Sequence, residues 1–292
     1  MTDRDTELFE SHETDVLTAF EGDVPVGTKT PSALARRTRQ YGPAVVAFVL
    51  VIVAWEVATR VLNVETFILP KPSEIVTALF EKWDVIWRAG LNTLFEAVGG
   101  FLVGATFGVL VALATVRWRM ARDGLMPFAV AANAIPIIAL APIMNAWFSI
   151  TSPVSKMAVV AVIVFFPVMI NTARGLTEVD PEEFELMRSM ASTEREVMTK
   201  IRIPNALPYF FSALKVGSAL ALIAAIVAEY FGGPQDVLGQ YILNRANLFQ
   251  FPDAWAGILV ASVVGITFYV VILIAERIFM PWHVSFRAAD DR

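Results

Sequence analysis

The sequence of 292 residues has no cysteine, two histidines and only 17% charged residues. Without a thiol, neither a disulfide framework nor a thiolate metal site can form. The histidines, His12 and His283, stand in the polar terminal stretches, so none lies within an apolar block where it could serve a serine nucleophile. The scarcity of charge excludes an ordinary soluble domain, in which about a quarter of residues are charged. What the chain has instead is 56% hydrophobic residues. They gather into blocks of about 20, the length that spans ~30 Å of hydrocarbon. The expected class is an all-α polytopic membrane protein. Basic residues occur in short groups beside these blocks rather than as one stripe, which argues against nucleic-acid binding.

The formal net charge of −5 is a property of one end. Residues 1–23 hold eight acids against one base, Arg4, and the remainder is slightly basic. Residues 1–42 contain no apolar run and read as a cytoplasmic tail, acidic and then basic at Arg36, Arg37 and Arg39, that cannot bury enough surface to fold alone. No apolar stretch follows an N-terminal basic cluster, so the tail is not read as a signal peptide. The string from Gly22 to Thr30 approaches a P-loop, but its lysine, Lys29, stands one residue late and no apolar strand precedes it.

A permease-like membrane domain is expected over 43–281, with spans at about 44–63, 92–116, 125–149, 154–173, 209–231 and 254–279, followed by a tail over 282–292. Small residues are frequent enough in these blocks for close helix packing. Thirteen Lys and Arg fall near span ends on one side, from Arg36 through Arg117, Arg174, Arg188, Arg195, Lys200 and Arg202 to Arg292. Five fall on the other: Lys71, Lys82, Arg88, Lys156 and Arg245. This asymmetry places both termini in the cytoplasm. The external segment 72–88 has Ile75, Leu79, Trp83 and Trp87 at helical spacing, which predicts one amphipathic helix, either at the lipid interface or packed as a cap.

Polar groups inside the blocks are the candidate path residues. The third span holds Pro127, Pro136 and Pro142 with Asn133 and Asn145, and a proline-broken helix at membrane depth is tolerated only against protein or a watery cavity. Asn171, Glu56, Asn92 and Glu96 are weaker signals. Lys215 is expected to snorkel, Glu229 to sit near an outer interface with little desolvation, and Glu276 with Arg277 to anchor the inner edge.

The longest polar loop, 174–208, is patterned for structure. Asp180-Pro181-Glu182-Glu183 reads as an N-cap, a proline in the first turn and a glutamate at the third helical position, and Thr193-Glu194-Arg195-Glu196 repeats the capping box. A second short helix ending at Pro204 is expected, with Pro208 opening span five. The loop forms a projecting elbow.

The residues of that elbow resemble the EAA loop of permease subunits of ATP-binding-cassette (ABC) importers. Glu185-Leu186-Met187, Ala191 and, nine residues on, Ile201-Arg202-Ile203-Pro204 follow the family spacing, with Leu186 and Met187 in place of alanines and Ala191 in place of glycine. The resemblance covers about residues 66–280 and is nearest the nitrate, sulfonate and taurine type. Further matches are Leu69-Pro70-Lys71-Pro72-Ser73, Ile135-Pro136, Ala141-Pro142, Trp147-Phe148, Phe165-Phe166-Pro167, Asn171-Thr172, Asn205-Ala206-Leu207-Pro208, Ala228-Glu229 and Leu238-Gly239.

The resemblance implies a type I importer fold of six spans, no catalytic residue or metal site in this chain, and ATP with Mg bound by a separate ATPase, two copies per complex. It further implies a second permease subunit, this chain as a homodimer, and an extracytoplasmic solute-binding protein, in a prokaryotic plasma membrane. The ATPase contacts fall on Glu185, Met187, Met190 and Ala191, with Arg188 and Arg195 as polar neighbours and Ile201 and Pro204 completing the motif. The path residues are Asn133, Pro136, Pro142, Asn145, Asn171 and Glu229. Alanine at 191 predicts a right-handed turn there or a helix end displaced to Ser192. Expected cargoes are a sulfonate- or nitrate-like anion or a vitamin-like heterocycle such as riboflavin or the thiamine pyrimidine precursor. The alternative is an ion-gradient-driven secondary carrier, which calls for paired broken helices in two matching halves.

Overall fold

The computed structural model describes residues 33–118, 124, 127, 129, 131, 132 and 136–281. Asn133, the acidic residues 1–23, the Gly22–Thr30 string, Arg119, Arg122, Arg287, Arg292 and His283 lie outside the described residues. The described chain is helical throughout: α1 (Ala33–Val61), α2 (Pro72–Glu81), α3 (Trp83–Arg117), α4 (Ile137–Phe148), α5 (Pro153–Thr177), α6 (Pro181–Ser189), α7 (Glu194–Tyr230), α8 (Leu238–Asn247) and α9 (Phe251–Phe279). It falls into two units, one up to Ala54 and the other from Trp55 onward. The second unit contains α2 to α9.

Helices α3, α5, α7 and α9, together with Gly42–Val61 of α1, are long and apolar enough to cross a membrane, and they correspond to five of the six expected spans. The third block departs from expectation. Backbone at Pro136 is extended (φ −65°, ψ 120°), and α4 begins only after it with 12 residues. At 1.5 Å per residue α4 covers about 18 Å, well short of the ~30 Å hydrocarbon layer. Proline has no N–H to give to the preceding turn, so Pro136 starts a helix rather than sitting inside one.

Close backbone approach holds the centre of the second unit. Gly100, Gly104 and Gly108 of α3 form a stripe at four-residue spacing against α5; a Cβ at Gly100 would stand 2.5 Å from the Met157 carbonyl oxygen, and one at Gly108 2.9 Å from that of Phe165. Numbers rise together along the two helices, so they run parallel. Small residues at this spacing bring helix axes together and gain dispersion contacts that lipid cannot supply. Helix α7 returns antiparallel, burying Ala221, Ala224 and Ala225 with Val160, Val164 and Val168 of α5. Helix α9 completes the core through Phe268, edge-on to Phe101 at 5.1 Å, and Phe279, against Phe211 at 6.1 Å.

The expected amphipathic helix over 72–88 is two elements. Lys82 (φ −110°, ψ 17°) ends α2, and Trp83 and Trp87 belong to the first turns of α3, stacked at 5.4 Å. Ile75 and Ala78 of α2 are buried, which favours the packed cap. Glu56 fastens that cap: its carboxylate accepts from the Ser73 N–H at 3.0 Å and the Ser73 hydroxyl at 2.8 Å, satisfying an amide in the first turn of α2.

Two further expectations are corrected. Pro204 does not end a helix, because α7 runs unbroken from the elbow into span five. The turn Met198–Arg202 widens to a π turn, in which Ile203 N–H reaches back to the Met198 carbonyl, so Pro204 enters as a first-turn proline of the segment beyond. Lys215 does not snorkel and Glu276 is not an interfacial anchor: Lys215 Nζ is 2.9 Å from both Glu276 oxygens, an ion pair between α7 and α9. Pairing removes the cost of leaving either charge alone in an apolar setting.

Candidate functional site

Two clusters of functional side chains stand at opposite ends of the helices α5 and α7. One is the elbow formed by α6 and the start of α7. Asp180 caps α6 by accepting from the Glu182 N–H at 2.9 Å, one residue earlier than the glutamate expected to complete a box. The second box is complete: Thr193 N–H donates to Glu196 Oε2 at 2.9 Å while Glu196 N–H donates to Thr193 Oγ1 at 3.3 Å. Lys200 adds an ion pair to Glu196 at 3.3 Å.

Between these caps the chain turns at Ala191, whose φ is +51°. The expectation of a right-handed turn or a displaced helix end is therefore wrong. Ser192 N–H reaches the Met187 carbonyl at 3.1 Å and Ala191 N–H that of Arg188 at 3.0 Å. These two bonds make the Schellman closure, which needs a left-handed residue at the position of Ala191. Alanine accepts that conformation at about 1–2 kcal/mol because the closure satisfies two carbonyls that would otherwise be left open.

The elbow is braced against the end of α5. Asn205 Nδ2 donates to the carbonyls of Gly175 at 2.8 Å and Glu178 at 3.0 Å, and Arg202 Nη1 to that of Leu176 at 3.2 Å. The Arg202 guanidinium also lies 5.4 Å from the centre of the Phe184 ring. Of the residues expected to meet the ATPase, Glu185, Arg188, Met190, Ala191 and Arg195 are exposed, and Ile201 and Pro204 are half-buried. Met187 departs from them. It turns inward and is buried, with its sulfur accepting from the Ser192 hydroxyl at 3.7 Å. Leu186 takes its place outside at 62% exposure, next to Met190 at 69%. The signal for Leu186 was a large apolar residue at a position where the motif has alanine.

The second cluster gathers polar groups that the sequence scatters. Glu229 was expected at a solvated interface, yet it is fully buried, as are Lys156 and Thr93, with Glu96 2% exposed. Glu229 Oε2 accepts from the Gly239 N–H at 2.5 Å, and the Glu229 carbonyl accepts from Gln240 Nε2 at 2.5 Å. Gly239 is required by close approach, since a Cβ there would lie 2.6 Å from both Glu229 Cβ and the Ile226 carbonyl oxygen. Thr93 Oγ1 accepts from the Leu238 N–H at 2.9 Å, tying α3 to α8. Lys156 Nζ donates to the Ile150 carbonyl and, at 3.3 Å, to Asn145 Oδ1, whose amide donates in turn to the Phe231 carbonyl at 3.3 Å.

Of the expected path residues, the structure brings Asn145 and Glu229 together and adds Lys156, which the sequence marked only as a topology cation. Asn171 instead donates to the Pro167 carbonyl of its own helix at 2.8 Å, while Pro136 and Pro142 are exposed at and beyond the break before α4. Among the described residues no group of three or more His, Cys, Asp or Glu is arranged to hold a metal ion.

Comparison with known proteins accounts for this architecture. Residues 104–283 match the family described as the binding-protein-dependent transport system inner membrane component. The formylaminopyrimidine transport permease protein ThiX of Halalkalibacterium halodurans is 30% identical over 236 residues, covering 80% of this chain and 93% of that protein. The riboflavin transport system permease protein RibX of Chloroflexus aurantiacus is 29% identical over 242 residues, 82% of this chain and 90% of that one. A putative aliphatic sulfonates transport permease protein SsuC of Bacillus subtilis is 27% identical, covering 81% and 86%. The crystal structure of an amino acid ABC transporter with histidines shares the fold, with a TM-score of 0.56 at 17% identity over 69% of this chain and 97% of that one. The chain thus belongs to the binding-protein-dependent transport system inner membrane components, as a multi-pass permease subunit of an ABC importer whose ATPase is a separate subunit.

Proposed function

We propose that the α6–α7 elbow is the surface through which the ATPase drives this permease, with Glu185, Arg188, Met190, Ala191 and Arg195 at the contact and Leu186 joining them. Met187, Ile201 and Pro204 support that surface from within. The observation that carries this reading is mechanical: a capped, Schellman-closed turn leads without a break into a membrane-spanning helix, so force on its tip moves α7 rather than dissipating in a loose loop. Exposed Leu186 and Met190 flanked by charge suit a docking knob that fills an apolar groove. The elbow faces the cytoplasm, as do both termini, and two copies of this chain meet two ATPases. Cysteine at Ser189 should resist an impermeant thiol reagent in intact cells, whereas cysteine at Ser73 should react; labelling at Ser189 would reject this orientation. A purified complex with one copy each of two different permeases would reject the homodimer.

For the cargo, a small neutral or aromatic heterocycle is proposed over an oxyanion. Asn133, Pro136, Pro142 and Asn171 remain the path residues. Relatives named for formylaminopyrimidine and riboflavin support this choice, as does Lys156, which is buried and committed to the Ile150 carbonyl and Asn145 rather than presented to an anion. Competition of uptake by riboflavin and a formylaminopyrimidine, against taurine and nitrate, tests it; inhibition by the anions alone would overturn it.

A further inference from the structure

The polar cluster opposite the elbow does not balance in charge if every group is ionised. Helix α3 brings Glu96, α5 brings Lys156 and α7 brings Glu229, beside Tyr230. The stretch before α8 brings Asp236, which is exposed and held by the Asn92 amide at 2.9 Å. Helices α4 and α8 bring amides, Asn145 and Gln240. Two buried carboxylates facing one buried ammonium leave an uncompensated negative charge in a bundle whose surroundings are apolar, an arrangement that proteins in membranes avoid.

The hydrogen bonds point to the remedy. Among the described residues, two buried carboxylate oxygens have no partner: Glu96 Oε2 and Glu229 Oε1. The other Glu229 oxygen is satisfied by the Gly239 N–H. The two glutamate side chains lie within hydrogen-bonding reach of each other. Ionised, both orphaned oxygens are acceptors and neither can satisfy the other. One proton between them makes one a donor and satisfies both at once.

We propose that Glu96 and Glu229 hold a single proton between these two oxygens, so that with Lys156 the cluster is neutral and forms a buried proton-binding site. The proton comes from water and forms one O–H bond, on Glu96 or Glu229, with no other bond broken. Through it α3 and α7 are joined directly. Through Lys156, Gly239 and Thr93 the junction extends to the α4–α5 turn and to α8. Withdrawing the proton at alkaline pH returns a net negative charge to the interior and loosens this end of the molecule, while the elbow, whose charges are solvated, is unaffected. The site stands on geometry within this chain and is independent of which solute is carried.

Infrared spectroscopy of the full-length permease with its ATPase in lipid nanodiscs tests the site directly. With carbon-13 glutamate in the chain, a carboxylic-acid carbonyl stretch should persist at neutral pH, be insensitive to sodium and potassium, and vanish in Glu96→Gln, whose amide supplies the donor without titrating. The midpoint of thermal unfolding should fall with rising pH in the parent and fall less in Glu96→Gln. If that variant does not fold, the labelled parent and Glu229→Gln decide. No carboxylic-acid band in the parent, a band that survives in both variants, or a midpoint that follows sodium concentration rather than pH would overturn the proposal, the last by placing a metal cation where the proton is assigned.

Discussion

The two ends of α7 solve the problem of charge in opposite ways. At the elbow, Asp180, Thr193, Glu196 and Lys200 bond to groups within four residues of themselves and remain in contact with water. At the far end, Thr93 bonds to an amide 145 residues away, and Glu229 and Lys156 are buried entirely. The difference teaches where stability and where function reside. Solvated local pairs hold a shape at little energetic risk, so their outer faces are free to meet a partner. Buried pairs from distant helices fix the bundle, and losing one member leaves its partner stranded.

The contrast can be broken most severely at Lys156. Lys156→Met removes the cation that faces two buried glutamates and should cost about 3 kcal/mol or more. The loss should appear as a depressed unfolding midpoint or poor recovery of folded protein in detergent. A midpoint equal to that of the parent would mean that the far end is not held by this charge. Next in size is Gly239→Ala. Its added Cβ would meet Glu229 Cβ and the Ile226 carbonyl at 2.6 Å, and overpacking of this kind costs about 1–3 kcal/mol. The same measurement applies, and an unchanged midpoint would show that α8 can retreat from α7.

At the elbow the expected changes are smaller and the first has the reverse sign. Ala191→Gly relieves a left-handed alanine and should stabilise by about 1 kcal/mol. Phe249, with φ +59° in a second Schellman turn closing α8, provides a control in the other half of the molecule. Protection of the elbow amides from hydrogen exchange should rise in Ala191→Gly, and a fall would contradict the closure described. Smallest in stability is Glu185→Lys, on an exposed helix face where substitutions usually stay within about 0.5 kcal/mol. It should fold and insert normally, yet transport and ATPase recovery in pull-downs should drop together. An acidic substitution in the ATPase groove should restore part of both, because like charges across an interface are repelled. Normal transport with the ATPase still bound would remove Glu185 from the coupling surface and leave Leu186 and Met190 as its principal contacts.

The elbow was legible because its signals are local. Caps, a first-turn proline and a motif of fixed spacing act over a few residues, and the structure has Thr193 and Glu196 bonded as the spacing predicts. What escaped there was backbone conformation. The sign of φ at Ala191 is decided by two hydrogen bonds of the closure, which outweigh the preference of alanine. The continuity of α7 through Pro204 escaped for a similar reason, because a π turn accommodates a residue that the pattern alone reads as a stop.

By itself, the sequence determined the membrane class, five of the apolar spans, the elbow and the family, since each rests on composition or on residues close together in the chain. Only tertiary structure decided which polar residues meet. Glu96, Glu229 and Lys156 looked like three unrelated marginal signals, near an interface or in a topology count, until the parallel packing of α3 on α5 and the return of α7 brought them into one buried volume. The break at Pro136 and the Lys215–Glu276 pair were settled in the same way. The physical reason is range: a cap or a hydropathy window is completed within a turn or a span, whereas the cost of burying a charge depends on what distant helices place beside it.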